Sequence, residues 1–348
     1  MSDLLELLRQ GARTLCPPEI WWASHYHLLL SRGYALRPRY QPGWVPGWET
    51  PGNETKAPTL FEDSRMIGGR GHVLDATRVS DGVKVALKMV LQKEEADIHI
   101  LLGQTLPQNH FSSDNRAVHL LEVIYLNDRA ILVFPFLREF ESPPFSRIGE
   151  VNEALGQFLK GMHYLHEHKI AHRDLGPGNL VMDASRVVPS GWHFSAPWGT
   201  EASGYNPIQS VPRYRVSPVE YFIIDFGLST IFPPGTPLAS AQAVGTLGKY
   251  RREIPELSET VPYNPFKVDI YQLGHVIMDL VEKYHGLEVY RGLAKRMMAN
   301  NPDERPWAAE CLDLFQRISA KTNPKAPVVE RGSRSWVKYA GRQLRILE

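Results

Sequence analysis

Two cysteines, Cys16 and Cys311, are all that the 348 residues contain. They stand far apart and make no framework, which excludes a disulfide-stapled fold and fits a reducing, intracellular compartment. Long apolar runs are missing as well. The longest extends from Ala130 to Leu137, whereas a membrane span needs about 20 apolar residues, so none is expected. The opening MSDLLELLRQ lacks the basic stretch and long apolar core of a signal peptide. Net charge is nearly absent: 39 Lys and Arg against 38 Asp and Glu leave +1. That removes the bulk electrostatic case for nucleic acid or a membrane surface as partner. No repeat and no low-complexity tract occurs. What remains is ordinary for a folded chain, 43% hydrophobic and 22% charged. At this length about 75% of the unfolded surface is buried on folding, and about two domains or lobes are expected.

Residues 1–18 alternate apolar and polar like a short amphipathic helix that stops at Pro17-Pro18. Residues 19–59 hold four tryptophans (Trp21, Trp22, Trp44, Trp48) and five prolines. They read as an extended segment pinned by aromatics and docked on the main domain. From 60 to 137 the pattern is β-rich. Val73, Val79, Val83, Val85 and Leu87 flank the turn Ser80-Asp81-Gly82, a hairpin signature. A helix is predicted over 93–104, then two apolar runs, His119–Tyr125 and Ala130–Phe136, joined at Asn127-Asp128. Helical spacing follows: Val151, Leu155, Phe158, Leu159, Met162 and Leu165, and a second helix from Val268 to Tyr284. Strands first and helices after suggest an α+β chain in two lobes. A Pro-, Gly- and Ser-rich insertion occupies 183–219, long for a hairpin connection. The basic tail, 321–348, reads as peripheral.

The chemistry concentrates in three places. His172-Arg173-Asp174-Leu175-Gly176-Pro177-Gly178-Asn179 follows a helix and precedes the apolar run Leu180-Val181-Met182. A carboxylate five residues before an amide suits phosphoryl transfer: the first accepts the proton of an attacking hydroxyl and the second holds a metal ion. The strand Tyr221-Phe222-Ile223-Ile224 delivers Asp225-Phe226-Gly227, a carboxylate suited to Mg²⁺. Val85-Ala86-Leu87-Lys88 ends a strand with a lysine able to reach phosphates as a point charge. Any one of these is weak, and their order is what makes them informative.

On those three motifs the chain resembles the eukaryotic protein kinases. The resemblance implies a two-lobed α+β fold, with a small β-rich N-lobe (60–137) and a larger helical C-lobe (138–320) carrying the 183–219 insertion. The Trp/Pro-rich extension 1–59 precedes the pair. It implies Asp174 as catalytic base, Asn179 and Asp225 as Mg²⁺ ligands, and Lys88 on the α- and β-phosphates of ATP. Met66-Ile67-Gly68-Gly69-Arg70-Gly71-His72-Val73 resembles the phosphate loop with Met66 in the first glycine position. Gly68, Gly69 and Gly71 would then approach the phosphates, and Val73, Ala86 and Val181 would enclose the adenine. Pro135 would offer its carbonyl to the adenine and Leu137 its N–H, so the proline falls where only an acceptor is needed. Ile254-Pro255-Glu256 looks like the end of an activation segment, with Arg305 as the partner of Glu256. Asp269 looks like the anchor of the catalytic loop.

Some positions depart from the pattern. The acid that pairs with Lys88 is open among Glu94, Glu95 and Asp97, the spacing to Leu101 fitting Asp97 best. Gly176 stands where serine/threonine kinases resemble one another in a lysine. Arg173 could receive a phosphorylated segment, with Ser229, Thr230, Thr236, Ser240 and Thr246 as candidates. The implied activity is transfer of the ATP γ-phosphate to a protein hydroxyl, Ser/Thr rather than Tyr. The alternatives are a kinase-fold scaffold with little catalysis, and a small-molecule phosphotransferase suggested by Pro177-Gly178-Asn179. The insertion, the Asp225 strand and Arg32–Tyr40 together look like kinase-like proteins abundant in mushroom-forming fungi. His163, His166, His168 and His172 lack zinc-type spacing and are read as helix-end groups. An intracellular protein, cytoplasmic or nuclear, with a protein substrate is expected.

Overall fold

A computed structural model describes residues 2–67, 71–91, 94–102, 114–200, 206–245 and 254–332. The chain divides into two compact units. One comprises residues 1–96, 119–136 and 185–211, and the other residues 97–118, 137–184 and 212–348. The first is β-rich and the second helical, the α+β class expected from the order of strands and helices.

The β-rich unit opens with α1 (Ser2–Arg13), α2 (Pro17–Ser24) and α3 (Tyr26–Ser31). Pro17 starts a helix here; it does not merely end one. Its fixed φ suits the first helical position and its missing N–H is not needed there, while Glu19 accepts the Cys16 N–H at 3.0 Å and caps the turn. The stretch read as extended is therefore partly helical. It then contributes β1 (Tyr34–Ala35), which pairs antiparallel with β2 (Val73–Arg78). β2 pairs with β3 (Lys84–Val90) through a turn in which Gly82 takes φ +73°, and Asp81 accepts the Val83 N–H. α4 (Glu94–Leu101) begins in this unit. β4 (Glu122–Tyr125) and β5 (Ala130–Pro135) complete a five-stranded sheet of order β1-β2-β3-β5-β4.

The register sorts the side chains, because strand neighbours alternate faces. Leu74, Ala76, Val85, Leu87, Ile131 and Val133 lie on one face, and the core there is completed by Trp22, Leu29, Leu36 and Tyr40 of the N-terminal extension. Val73, Asp75, Ala86 and Lys88 fall on the other. Insertion residues 185–211 group with this β-rich unit, not with the helical one to which chain order assigned them. Trp192 stacks on Phe136 at 4.9 Å between ring centroids, and His193 Nε2 lies 2.9 Å from Glu62 Oε1.

A buried ionic network ties these pieces together. Asp75, wholly buried, meets Arg37 Nε at 3.1 Å and Lys84 Nζ at 2.7 Å. Arg37 also reaches Glu62 at 3.3 Å and donates to Tyr40 Oη at 3.0 Å. Glu19, also wholly buried, takes a bidentate pair from Arg39 at 2.9 and 3.2 Å.

The helical unit contains β6 (Arg138–Glu139), α5 (Ile148–Glu167), β7 (Ile170–Ala171), β8 (Leu180–Met182), α6 (Arg213–Val216), β9 (Tyr221–Ile223) and β10 (Thr230–Ile231). α7 (Pro265–Lys283), α8 (Arg291–Met297) and α9 (Ala308–Ser319) follow. α7 begins three residues before the expected Val268 because Asn264 accepts the Phe266 and Lys267 N–H groups and Pro265 fills the first turn. α5 buries Phe158, Leu159 and Met162, and α7 buries Ile270, Leu273 and Ile277. No helix among the described residues is long and apolar enough to cross a membrane.

Burial alone would push the Glu19, Glu62 and Asp75 carboxyls up. Their cationic and N–H partners outweigh it and hold all three below their ordinary values of 4.5, 4.5 and 3.8. These groups stay ionised in the folded chain after the unfolded chain has begun to take up protons. Their stabilisation is complete above the unfolded values and is lost as the pH falls through the folded ones. The urea midpoint is therefore expected to hold near neutrality and to decline below about pH 4.5. Asp75→Asn should cost about 3 kcal/mol at neutral pH, since it strands Arg37 and Lys84 against a neutral partner, and should flatten the acid decline.

Candidate active site

In the β-rich unit Lys88 lies on β3 opposite Val73 on one side and Leu132 on the other. Its ammonium meets Glu95 Oε1 at 2.6 Å and Oε2 at 2.8 Å, with both side chains largely buried. The helix acid is therefore Glu95, not Asp97. Two residues along a helix turn the side chain by about 200°, so Asp97 points away and is exposed. The Glu94 side chain lies outside the described residues. Ala86 shares the Lys88 face, and Pro135 closes β5 opposite Val85. Gly68 and Gly69 lie outside the described residues. Gly71 and Val73 lead into β2.

In the helical unit, β8 follows Asn179 and β9 leads into Asp225. These strands are antiparallel neighbours, with Leu180 opposite Ile223 and Val181 opposite Phe222. The Ile224 N–H donates to the Asn179 carbonyl at 3.0 Å, so the ladder extends to Asn179 and to Ile224, the residue before Asp225. Asn179 Nδ2 donates to the Asp174 carbonyl at 2.7 Å and to Asp174 Oδ2 at 2.8 Å. The amide nitrogen so orients the carboxylate, and its oxygen is left as an acceptor. Arg173 and Asp225 adopt φ +67° and +70°, a left-handed conformation that non-glycine residues hold only when their surroundings fix it.

For Arg173 those surroundings come from α7. Asp269, with no solvent exposure, accepts the His172 N–H at 2.8 Å and the Arg173 N–H at 2.6 Å. Its Oδ2 also lies 3.0 Å from His166 Nε2. Gln272, one turn on, accepts the Leu175 N–H at 2.8 Å and donates to the Arg173 carbonyl at 2.9 Å. The His172 ring reaches the Ile224 carbonyl at 3.0 Å and packs edge-on to Phe226 at 5.0 Å. The four histidines near the end of α5 each have a partner of their own: His163 with Glu167, His166 with Asp269, His168 with the Tyr164 carbonyl and His172 with Ile224. Among the described residues no group of three or more His, Cys, Asp or Glu is gathered to hold a metal ion.

Farther along, Arg305 is clamped to Glu256 by two contacts of 2.5 and 2.8 Å and donates to the Lys267 and Ala299 carbonyls. Arg173 donates to the Thr230 hydroxyl, the Val244 carbonyl and the Tyr263 hydroxyl at 3.2, 2.7 and 2.9 Å. Its guanidinium is thus already engaged by unmodified groups. Thr246 lies outside the described residues.

Residues 66–301 match the model of the protein kinase domain. The chain belongs to the protein kinase family. Among its relatives are the "Probable cell division protein kinase" of Encephalitozoon cuniculi (25% identical over 217 residues, 62% of this chain and 68% of the relative), cyclin-dependent kinase 2 of Caenorhabditis elegans (33% over 132 residues, 35% and 36%) and testis-specific serine/threonine-protein kinase 4 of Homo sapiens (21% over 304 residues, 80% and 82%). Against cyclin-dependent kinase 2 the chain spans only about a third of the relative's length. The kinase-domain match begins at Met66, so it leaves out α1, α2, α3 and β1. Sequence reasoning left Glu95 as one of three candidates, with Asp97 fitting best, and gave no role of its own to Gln272. The first needed the phase of α4. The second could have been found as the residue one turn after Asp269.

Asp269→Asn removes one of the two anionic oxygens under the catalytic loop. It is expected to cost about 2–4 kcal/mol, the range for a buried group left without its charged partner, read from urea unfolding of the kinase.

Proposed function

We propose that this kinase transfers the γ-phosphate of ATP to a protein hydroxyl, Ser/Thr rather than Tyr. Asp174 orients the hydroxyl and accepts its proton, and Asn179 fixes the Asp174 carboxylate in place. Lys88, held by Glu95, draws charge from the α- and β-phosphates. The oxygen donors of Asn179 and Asp225 fit Mg²⁺, which prefers one or two protein oxygens together with phosphate oxygens. When bound there, the ion would neutralise charge on the transferred group. Gly71, Val73, Ala86, Val181, Pro135 and Leu137 keep their assignment to the nucleotide. The preference for Ser/Thr draws on the names of relatives such as the human testis-specific serine/threonine-protein kinase 4.

The observation that carries the reading is the double contact of Lys88 with Glu95. A lysine kept only as a solvated edge residue has no need of a buried carboxylate. The bidentate Arg305–Glu256 pair supports a protein acceptor over a small molecule, because it anchors the segment expected to receive a polypeptide. A second reading, an ATP-binding scaffold with little catalysis, draws on Gly176 and Met66. The first supplies no cation, and the second puts an exposed methionine in a glycine position. The finer likeness to fungal kinase-like proteins stays with this proposal and rests on the sequence stretches already named.

Phosphate transfer from ATP and Mg²⁺ to the protein itself and to a generic protein acceptor tests the reading. Wild type should be active. Asp174→Asn should lose about 10²–10⁴-fold, the share of general-base catalysis, and Lys88→Ala should abolish transfer. Asp97→Asn should leave the rate unchanged while Glu95→Gln lowers it. Absence of transfer, with ATP binding that still depends on Lys88, would favour the scaffold.

A further inference from the structure

Among the described residues the acceptors of the Arg173 guanidinium are the Thr230 hydroxyl, the Val244 carbonyl and the Tyr263 hydroxyl. None of them carries a charge. Tyr263 passes the contact on. Its hydroxyl accepts from Arg173 at 2.9 Å and donates to the Gly245 carbonyl at 2.6 Å, as an O–H group can do both at once. Its backbone pairs with Ala243 through two bonds of 2.9 Å, and the Gly245 N–H donates to the Ser258 carbonyl at 2.8 Å. Arg173, the residue before Asp174, is thereby tied to two stretches of chain, 243–245 and 258–263.

The chain is shaped around this dock. Gly245 takes φ +110°, and a Cβ built there would stand 3.2 Å from Arg173 Nη2. The position needs glycine both for its backbone and for the room it leaves the guanidinium. Tyr263 is 7% exposed and packs with Ile254, Val268 and Tyr271, so packing fixes where its hydroxyl points. Thr230 is set by β10, where it pairs with Ala171 of β7. Two hydroxyls that a phosphate could occupy are already engaged: Thr230 accepts from Arg173, and Ser229 donates to the His172 carbonyl at 3.2 Å. A phosphorylated residue orders a loop by giving an arginine charge-assisted acceptors. Here neutral acceptors, built in, already fill that place.

We propose that Tyr263 is a positioning residue for phosphate transfer, acting through Arg173 in the place of a phosphate, so that transfer needs no prior phosphorylation of the stretch between Asp225 and Glu256. The inference rests on the reading of Asp174 as the base and adds what locks its loop. Arg173 holds φ +67°, a conformation that persists only while its surroundings fix it. Slack in its side chain passes directly into the backbone that aims Asp174. Tyr263 has no share in the nucleotide assignment, so its loss falls on kcat and leaves KM for ATP in place.

The test is the initial rate of transfer from ATP and Mg²⁺ to a generic protein acceptor, by the full-length chain. Wild type is assayed before and after phosphatase treatment, with mass spectrometry showing that no phosphate remains and the phosphatase then removed. Tyr263→Phe, Tyr290→Phe, Arg173→Ala and the pair Arg173→Ala/Tyr263→Phe are assayed beside it. Phenylalanine keeps the ring and removes only the hydroxyl. Tyr290 is the control, a buried tyrosine of the same unit whose hydroxyl donates to Asn152. Treated wild type should start without a lag at the untreated rate. Tyr263→Phe should lower kcat about fivefold to tenfold, the effect of one lost hydrogen bond to a charged group, and keep KM for ATP within about twofold. Tyr290→Phe should match wild type. In the Arg173→Ala background, Tyr263→Phe should cost nothing more, because the two act as one contact. A lag or a loss of rate after phosphatase would overturn the inference while the kinase reading stood. So would a wild-type rate in Tyr263→Phe, an equal loss in Tyr290→Phe, or losses at Arg173 and Tyr263 that simply multiply. If wild type transferred no phosphate in either state, the kinase reading would fail and the inference with it.

Discussion

A buried carboxylate must find donors for its charge, and in this chain those donors are the backbones of the functional loops. Removing an ionised group from water costs several kcal/mol unless nearly every lone pair is met. Asp269 meets that demand with the N–H groups of His172 and Arg173 and with the His166 ring. Glu19 meets it with Arg39, Tyr40 and the N–H groups of Cys16 and Ile67. The dependence runs both ways. The carboxylate is tolerated because the loop supplies donors, and the loop keeps a costly conformation, φ +67° at Arg173, because releasing it would leave a charge unpaired. The helical unit therefore fixes this loop from within.

The two faces of the sheet extend the same logic. Strand alternation separates a core face, Leu74, Val85 and Leu87, from a face carrying Lys88, Ala86 and Asp75. The core face needs a cover, and the N-terminal extension supplies it with Trp22, Leu29 and Tyr40. Asp75 needs cations, and one is Arg37, from that same extension. So the segment that precedes the kinase-domain match is part of the β-rich unit's core and of its charge balance. A truncated chain beginning near Met66 would expose apolar surface and take Arg37 away from Asp75 together.

The sequence made the chemistry legible where residue identity and order suffice. His172, Asp174, Asn179 and Asp225 stand in loops whose spacing the reaction itself constrains, and both flanking strands, β8 and β9, were visible as short apolar runs. Less was legible where phase or distance decides. Whether Glu95 or Asp97 meets Lys88 depends on how α4 is rotated, which a short apolar-polar pattern does not specify. α2 was hidden because it buries a glutamate and a tryptophan together and so shows no amphipathic stripe, and α3 because its six residues are too few to show one. The grouping of residues 185–211 with the β-rich unit depends on contacts such as Trp192 with Phe136, between residues 56 apart in the chain, which local pattern cannot reveal. Gly71 was read as a glycine that approaches the phosphates, and its closeness to Pro18, 53 residues earlier, was not legible.

Gly176 then bears on charge more than on shape. The catalytic loop keeps its form without a side chain there: the Gly176 N–H donates to the Asp174 carbonyl at 2.8 Å, the Asn179 N–H to the Gly176 carbonyl at 2.9 Å, and Gln272 holds Leu175 from below. What the position lacks is a cation near the transferred group, a loss of electrostatic stabilisation in the transition state. Such a loss lowers the rate of transfer and leaves the orientation of Asp174 by Asn179 untouched. In the β-rich unit Lys88 is buried against Glu95 and therefore screened less by water than a surface lysine would be. On the proposed reading, in which Asp174 is the base and Lys88 meets the phosphates, this combination makes a slow kinase.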